Sequence, residues 1–266
     1  MALFQINSIK ELLMKKATVR KLLQKNNPVV LEIGTSTGED SLGFLREFSD
    51  IQLYCFEPDP RCLEVHKSQV KDPRCKLYEI AISDVDGEAE FYQSSGSYEG
   101  FNEYSEWLQS SSLKTPKNHL EVHPWCKFEN KVIVPTRKLD SWFEENPIDE
   151  IDLIWADVQG AEENLIRGAF KTLSHTKYFY TEYEDDELYE GQIMLEQIKA
   201  LLPHFKAIGY FGNNVLFKNT EIPASAFNNA DQTVWQIWEL FPPKVWLQFL
   251  KRRLKSIVKS LTSATN

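Results

Sequence analysis

Apolar residues along this chain follow two periods in turn. Residues 6–25 place Ile9, Leu12, Leu13, Val19, Leu22 and Leu23 at helical spacing, with lysines and arginines on the opposite side. This predicts a helix laid over a sheet and stopped by Asn26-Asn27-Pro28. Residues 29–33 form a short apolar run ending at Gly34, the pattern of a buried strand. Residues 40–48 read as a helix, 51–56 as a strand ending in Glu57-Pro58, 61–70 as a helix and 76–82 as a third strand. Strands alternating with helices imply a parallel sheet with right-handed crossovers.

Beyond that point Asp86-Gly87 signals a tight turn into a strand over residues 88–93. Residues 94–130 are rich in Ser, Gly, Tyr, His and Pro and show little periodicity. They predict a lid without regular structure on the substrate side, with a disordered insertion as the alternative. Regular patterns then return: strand 131–135, helix 138–145, strand 151–156 closed by Asp157, helix 162–173, strand 177–183 and helix 194–202. Residues 205–210 and 214–217, joined by Gly212-Asn213, read as an antiparallel hairpin. The expected fold is α/β: a doubly wound, mostly parallel seven-stranded sheet with an antiparallel end hairpin, an N-terminal helix and a helical C-terminal tail. The expected divisions are a helical cap over residues 1–27, a main domain over 28–218 carrying the lid, and a tail over 219–266.

Composition narrows the function classes. The 266 residues carry a net charge of -9, which argues against a nucleic-acid partner because phosphate binding needs a positive surface. The charge is uneven, and no acidic residue follows Glu239. The tail combines Trp235, Trp238, Trp246, Phe249 and Leu250 with Lys244, Lys251, Arg252, Arg253, Lys255 and Lys259. A basic amphipathic helix of this kind either packs on the domain or makes peripheral contact with an anionic membrane. Four cysteines without C-x-x-C spacing suggest neither a zinc knuckle nor a disulfide scaffold. They are the expectation for a reduced, cytoplasmic protein. No run is long and apolar enough to span a bilayer, and the first residues lack signal-peptide character.

Leu31-Glu32-Ile33-Gly34-Thr35-Ser36-Thr37-Gly38 sets an acid inside the end of a strand, then a glycine-flanked turn into a helix. Glycine there lets the backbone approach a ligand without Cβ interference. Ser36 stands where a dinucleotide fingerprint has its second glycine, and no Gly-Lys-Ser/Thr follows, which excludes a P-loop. Glu57, at the end of the second strand, is placed to accept hydrogen bonds from two ribose hydroxyls. Ile82 and Ser83, at the end of the third, are placed to meet an adenine. An ordinary strand-to-helix turn and ordinary strand-end acids remain the plainer alternatives.

Phe56-Glu57-Pro58-Asp59, Ala81-Ile82-Ser83-Asp84 with Gly87, Thr136 with Leu139-Asp140, and above all Asp157-Val158-Gln159-Gly160-Ala161-Glu162 with Leu165 and Gly168 resemble the FkbM family of methyltransferases. The resemblance covers roughly residues 28–217. It implies a Rossmann-like methyltransferase core, S-adenosyl-L-methionine as cofactor, and O-methylation of hydroxyls on sugars, polyketides and other secondary metabolites. Glu32, Gly34, Thr35, Ser36, Gly38, Glu57, Ile82 and Ser83 are then the expected cofactor contacts, with Glu32 reaching the methionyl ammonium directly or through water. Two departures stand beside the expected reacting centre: Trp155 where the family usually has Lys, and Gln159 where it usually has Glu.

In such a sheet ligands sit beyond the carboxyl ends of the strands, where strand order reverses. Asp157 therefore falls near the transferred methyl, and Glu182 ends the next strand. Methyl transfer to a hydroxyl needs alignment and removal of a proton, or a metal to acidify the hydroxyl. Asp157 and Glu182 are the expected catalytic pair. No metal ligands are assigned, although a divalent metal on these carboxylates stays open. His119 and His123 are further candidate bases in the lid. Glu162 reads as a helix-start acid, and Tyr180, Tyr183 and Tyr189 read as either acceptor-pocket or core residues. A cofactor-binding partner without turnover, and less readily a nucleotide-dependent oxidoreductase, are the rival functions.

Overall fold

The computed structural model describes residues 14–97 and 106–227. The first half of the expected N-terminal helix and nearly all of the basic tail lie outside the described residues. What is described begins with helix α1 (Lys16–Leu23), whose Val19, Leu22 and Leu23 are buried. Strand β1 (Val29–Ile33) leads through α2 (Glu39–Glu47) to β2 (Gln52–Phe56), and α3 (Pro60–Gln69) leads to β3 (Cys75–Tyr78). Asp59 caps α3 by accepting the Arg61 N–H, and Pro60 supplies a first-turn residue with φ already set for a helix.

After β3 come β4 (Ala81–Ile82), β5 (Gly87–Gly96), α4 (His119–Val122) and β6 (Cys126–Arg137). The chain returns to the main sheet through α5 (Leu139–Glu145), β7 (Ile151–Ala156), α6 (Glu162–Arg167), α7 (Phe170–Ser174) and β8 (Thr176–Glu182). Helix α8 (Leu195–Leu201) precedes the hairpin β9 (Phe205–Phe211) and β10 (Asn214–Asn219). The main sheet has the order β3-β2-β1-β7-β8-β10-β9. Strands β3, β2, β1, β7 and β8 run parallel, and β10 is antiparallel to both β8 and β9. The order thus reverses between β1 and β7, and a crevice opens beyond their carboxyl ends.

Both central strands are buried along their whole length, which is why they read as unbroken apolar runs instead of alternating ones. One face of the sheet packs Val30, Leu53, Leu153, Trp155 and Leu216 against α1 and α2 through Val19, Leu22, Phe44 and Leu45. The other packs Leu31, Ile33, Ile154 and Phe179 against Leu139, Trp142, Leu165 and Ile198. Trp142 meets Tyr54, Phe56 and Tyr78 edge-on, with ring centroids 5.0–5.4 Å apart. At the amino end of β7, buried Asp152 accepts hydrogen bonds from Val29 N, Lys25 Nζ and Lys177 Nζ, locking the start of β1 to its neighbours.

Three expectations change. Residues 76–82 are not one strand: β3 stays in the main sheet and β4 leaves it for a second sheet, of order β4-β6-β5. The expected structureless lid is narrowed at both ends by that sheet, since β5 runs to Gly96 and pairs with β6 from Cys126 onward. Its alternation is masked in sequence because one side faces water and polar residues fill much of both strands, as in Glu-Ala-Glu-Phe-Tyr-Gln. Residues 98–105 of the lid lie outside the described residues. Finally, the single helix expected over residues 162–173 breaks into α6 and α7 at Gly168. Asp140 caps the second piece, accepting from the backbone N–H groups of Lys171 and Thr172 and from the Thr172 hydroxyl.

Gly168 also joins the two sheets. A Cβ there would lie 1.9 Å from the Ser83 carbonyl oxygen. Ser83 and Asp84, which follow β4, are held in this place by Asn164 of α6, whose amide donates to Asp84 at 2.8 Å. Gly168→Ala is therefore expected to lower stability by about 1–3 kcal/mol, the usual cost of overpacking. The shift in a urea unfolding midpoint, at unchanged slope, measures it.

Candidate active site

The ends of β1 and β7 meet in a contact that admits no side chain. Gly34 has φ +80, and a Cβ on it would lie 1.8 Å from the Asp157 carbonyl oxygen. Asp157 N in turn donates to Ile33 O at 2.9 Å. The Gly34 and Thr35 N–H groups donate to Phe56 O, so the turn after β1 is pinned to β2 as well. Beyond these strand ends lies a cavity of about 280 Å³. Its walls include Glu32, Gly34, Thr35, Ser36, Glu57, Ile82 and Asp157, seven of the residues expected from sequence. Phe91, Leu108, Gln109, Ser111 and Leu113 close it from the second sheet and lid.

Glu32 is buried at the back of this wall. Its carboxylate accepts from Thr35 Oγ1 at 2.8 Å and Ser41 Oγ at 2.7 Å. Burial raises its pKa to about 7, with the charge of Asp40 adding to the effect. Glu57 accepts from the backbone N–H of Ser36 and of Asp59, both at 2.8 Å. Burial raises it to about 7 too, against the pull of those two hydrogen bonds. Each Glu57 oxygen keeps a lone pair that these contacts do not use. Ser83 does not line the cavity: its N–H is bonded to Arg137 O and its hydroxyl donates to Asp84. Gly38 is likewise outside the wall, capping α2 beside His66.

Asp157 opens onto the cavity, and Glu182, at the end of β8, stands behind it. Gln159 connects them, its amide Nε2 donating to Asp157 Oδ1 at 2.6 Å and to Glu182 Oε2 at 3.1 Å. The amide is oriented from its other end, where the Tyr189 hydroxyl lies 3.2 Å from Gln159 Oε1. Gln159 itself adopts φ 49, and its carbonyl accepts from Ser112 Oγ at 2.6 Å. Burial raises the pKa of both carboxyls, and the Gln159 amide moderates the rise at Asp157. Glu182 rises furthest because the charge of Asp157 adds to its burial. Of the two, Glu182 is therefore pushed further toward its protonated form.

Trp155 is buried on the sheet face toward α1, stacked on Tyr180 at 4.0 Å. The Lys16 ammonium of α1 sits 3.4 Å from its ring centroid and 2.7 Å from Asp40, another wall residue. A cation thus stands near the position where the resemblance leads one to expect Lys, delivered by a different element. The lid histidines do not reach the cavity. His119 is buried among His123, Phe128 and Tyr189, and burial lowers its pKa to about 4. Glu162 accepts from Gly160 N at 3.2 Å at the start of α6, as a helix-start acid should. Of the tyrosines, Tyr180 is core, Tyr183 packs edge-on toward Tyr210, and Tyr189 reaches the carboxylate pair through Gln159.

Asp59 was not singled out as a site residue by sequence reasoning. It is wholly buried two residues after Glu57 and accepts from Arg61, from Gln93 Nε2 at 2.8 Å and from Ser111 Oγ at 3.2 Å. Gln93 lies on β5 and Ser111 in the lid, so the turn after β2 and the lid share one carboxylate. The motif Phe56-Glu57-Pro58-Asp59 was visible, but the partners that define Asp59 are remote in sequence.

This site sits within a region that matches the model of the methyltransferase FkbM domain, over residues 32–211. The chain is 43% identical over 206 residues to the 2-O-methyltransferase NoeI of Sinorhizobium fredii (strain NBRC 101917 / NGR234), covering 76% of this chain and 83% of that protein. Among solved structures, it is similar to an rRNA methylase from Streptococcus thermophilus at 10% identity, covering 76% of this chain and 92% of that one, with a TM-score of 0.39. A spermidine synthase from Thermotoga maritima matches at 15% identity, over 79% and 60% of the two chains, with a TM-score of 0.40. The family model spans more than half of the chain and the relative is 43% identical over most of both proteins, so the chain belongs to the FkbM family of methyltransferases.

Proposed function

We propose that this chain transfers a methyl group from S-adenosylmethionine to a hydroxyl of a sugar or other secondary metabolite, with Asp157 accepting the hydroxyl proton. The observation that carries this reading is that Asp157 opens onto the same cavity as Glu57 and the Gly34 turn. When bound, S-adenosylmethionine supplies a methyl carried on a sulfonium, which departs as a neutral thioether. The residues suit that ligand. Glycine at position 34 lets the end of β7 close up against the turn, so that Asp157 and the turn border one cavity. Glu57 offers two oxygens to ribose hydroxyls. Glu32, with Thr35 in front of it, places negative charge toward the methionyl ammonium.

For the acceptor, the O–C bond forms as the C–S bond breaks, and the hydroxyl proton passes to Asp157. The enzyme's contribution is alignment and exclusion of water, with a base in place. Burial raises Asp157 above the usual carboxylate range, which makes it a stronger base than a surface carboxylate. Gln159 fixes both groups without adding a third charge. The name of the NoeI relative supports a hydroxyl acceptor and a 2-position. Aromatic residues near the cavity support an acceptor with C–H faces such as a sugar: in the lid Trp107 adjoins the wall residue Leu108 and meets Trp125 edge to face at 4.8 Å. The match to a methyltransferase family and to a named methyltransferase does not favour a partner without turnover. No helix of the described residues is long and apolar enough to cross a membrane, and the basic tail, for which membrane contact was one of two expectations, lies almost wholly outside them.

The direct test is incubation with isotope-labelled S-adenosylmethionine and panels of oligosaccharide and polyketide hydroxyl acceptors, read by mass analysis. A labelled methyl ether on a sugar is the expected product. Tight cofactor binding without any labelled ether would instead mark a partner protein. Asp157→Asn is expected to cut kcat by about 10²–10⁴-fold, the usual worth of a positioned base, while calorimetry shows cofactor affinity near that of the wild type. Gln159→Glu removes the amide donor and adds a like charge, and both effects raise the pKa of Asp157. The acidic limb of its kcat–pH profile is therefore expected at higher pH than in the wild type; an unmoved limb would detach Gln159 from the titration of the base.

A further inference from the structure

On the far side of Glu32 from the cavity stands a cluster of soft donors that methyl transfer does not use. Strands β2 and β3 pair in parallel with Leu53 opposite Cys75 and Cys55 opposite Leu77. The alternation of a strand then puts Cys55 and Cys75 on one face of the sheet, diagonally across two neighbouring strands. Their sulfurs are 3.3 Å apart. The crossover helix α3 packs His66 on that face, with the side chain 1% exposed. Donor atoms of Cys55, His66 and Cys75 all lie within 4.8 Å of one another. Tetrahedral zinc, with Zn–S near 2.3 Å and Zn–N near 2.0 Å, needs donors about 3.5–3.8 Å apart. Small side-chain rotations close that difference.

We propose that Cys55, His66 and Cys75 form a binding site for a thiophilic divalent cation of the zinc type. Two thiols and an imidazole are the donor set that soft-to-borderline cations select over magnesium or calcium. An outer shell is also present, which orients such ligands. Ser41 Oγ lies 3.2 Å from His66 Nε2, and Ser41 donates to Glu32 at 2.7 Å. Cys55 Sγ lies 3.5 Å from Glu32 Oε2. Cys75 is only half-buried, so solvent on its side gives a cation a way in and a water for the fourth position. On binding, two S–H bonds break, two metal–sulfur bonds form, and both protons pass to solvent. The two thiolates neutralise the cation, so no net charge is added beside Glu32. The spacing of these residues in sequence hides the site, because strand pairing and one helix assemble it.

This site stands independently of the methyl-transfer reading. The test uses the full chain, kept reduced, stripped with a chelator and titrated with Co²⁺ alone and then Zn²⁺ alone. One equivalent of Co²⁺ is expected to bind with a thiolate-to-cobalt charge-transfer band, and Zn²⁺ to displace it. Cys75→Ser and His66→Asn should each weaken binding by more than the roughly 10–100-fold that outer-shell changes cost. Cys126→Ser, in the second sheet, should bind as the wild type does. Circular dichroism confirms that each variant is folded, and half-buried Cys75 tolerates Ser best. Failure of the reduced wild-type chain to bind one equivalent would overturn the proposal, as would binding that persists unchanged in folded Cys75→Ser and His66→Asn.

Discussion

Everything in the candidate site hangs on how closely β1 approaches β7. The Gly34 Cα faces the Asp157 carbonyl with no room for a methyl group between them. That contact brings the residue ending β7 into the wall that the turn after β1 begins. A wider gap would separate Asp157 from the Gly34 turn with which it shares the cavity wall. Parallel pairing of the two strands over four residue pairs sets the approach, and the buried Asp152 cluster anchors it at the opposite end. The reacting geometry is thus a property of the sheet, not of the loops above it.

The site is also unusually acidic for its burial. Glu32, Glu57, Asp157, Glu162 and Glu182 all sit where desolvation raises their pKa values. Isolated, such groups would be a cost to folding. Each is instead supplied with donors: hydroxyls at Glu32, backbone N–H groups at Glu57 and Glu162, an amide at Asp157 and Glu182. Of the five, Glu32, Glu57 and Asp157 border the cavity. Lys16, ion-paired to Asp40 and stacked over Trp155, brings a positive charge beside that wall.

How much of this was legible in the sequence follows from which contacts are local. The central strands β1 and β7 are buried along their whole length and are closed by Gly34 and Asp157, so their runs and punctuation announce them. The glycine turn, Glu57 and the Asp157–Glu162 segment are contiguous motifs and lead to the cavity. Ser83 misled because a strand-end position says where a residue is but not which way its hydroxyl turns. The second sheet was lost because its strands carry polar residues on a wet face, and because β4 and β6 pair across more than fifty residues. Gln159 stood out only as a departure; its bridging of two carboxylates depends on Glu182 and Tyr189, which no local pattern connects to it.

Asp59 has a consequence for how the chamber holds together. It lies on the turn that begins with Glu57, yet two of its partners, Gln93 and Ser111, belong to the roof. Floor and roof are therefore fastened to one another through one buried carboxylate, so a change that loosens either side is felt by the other.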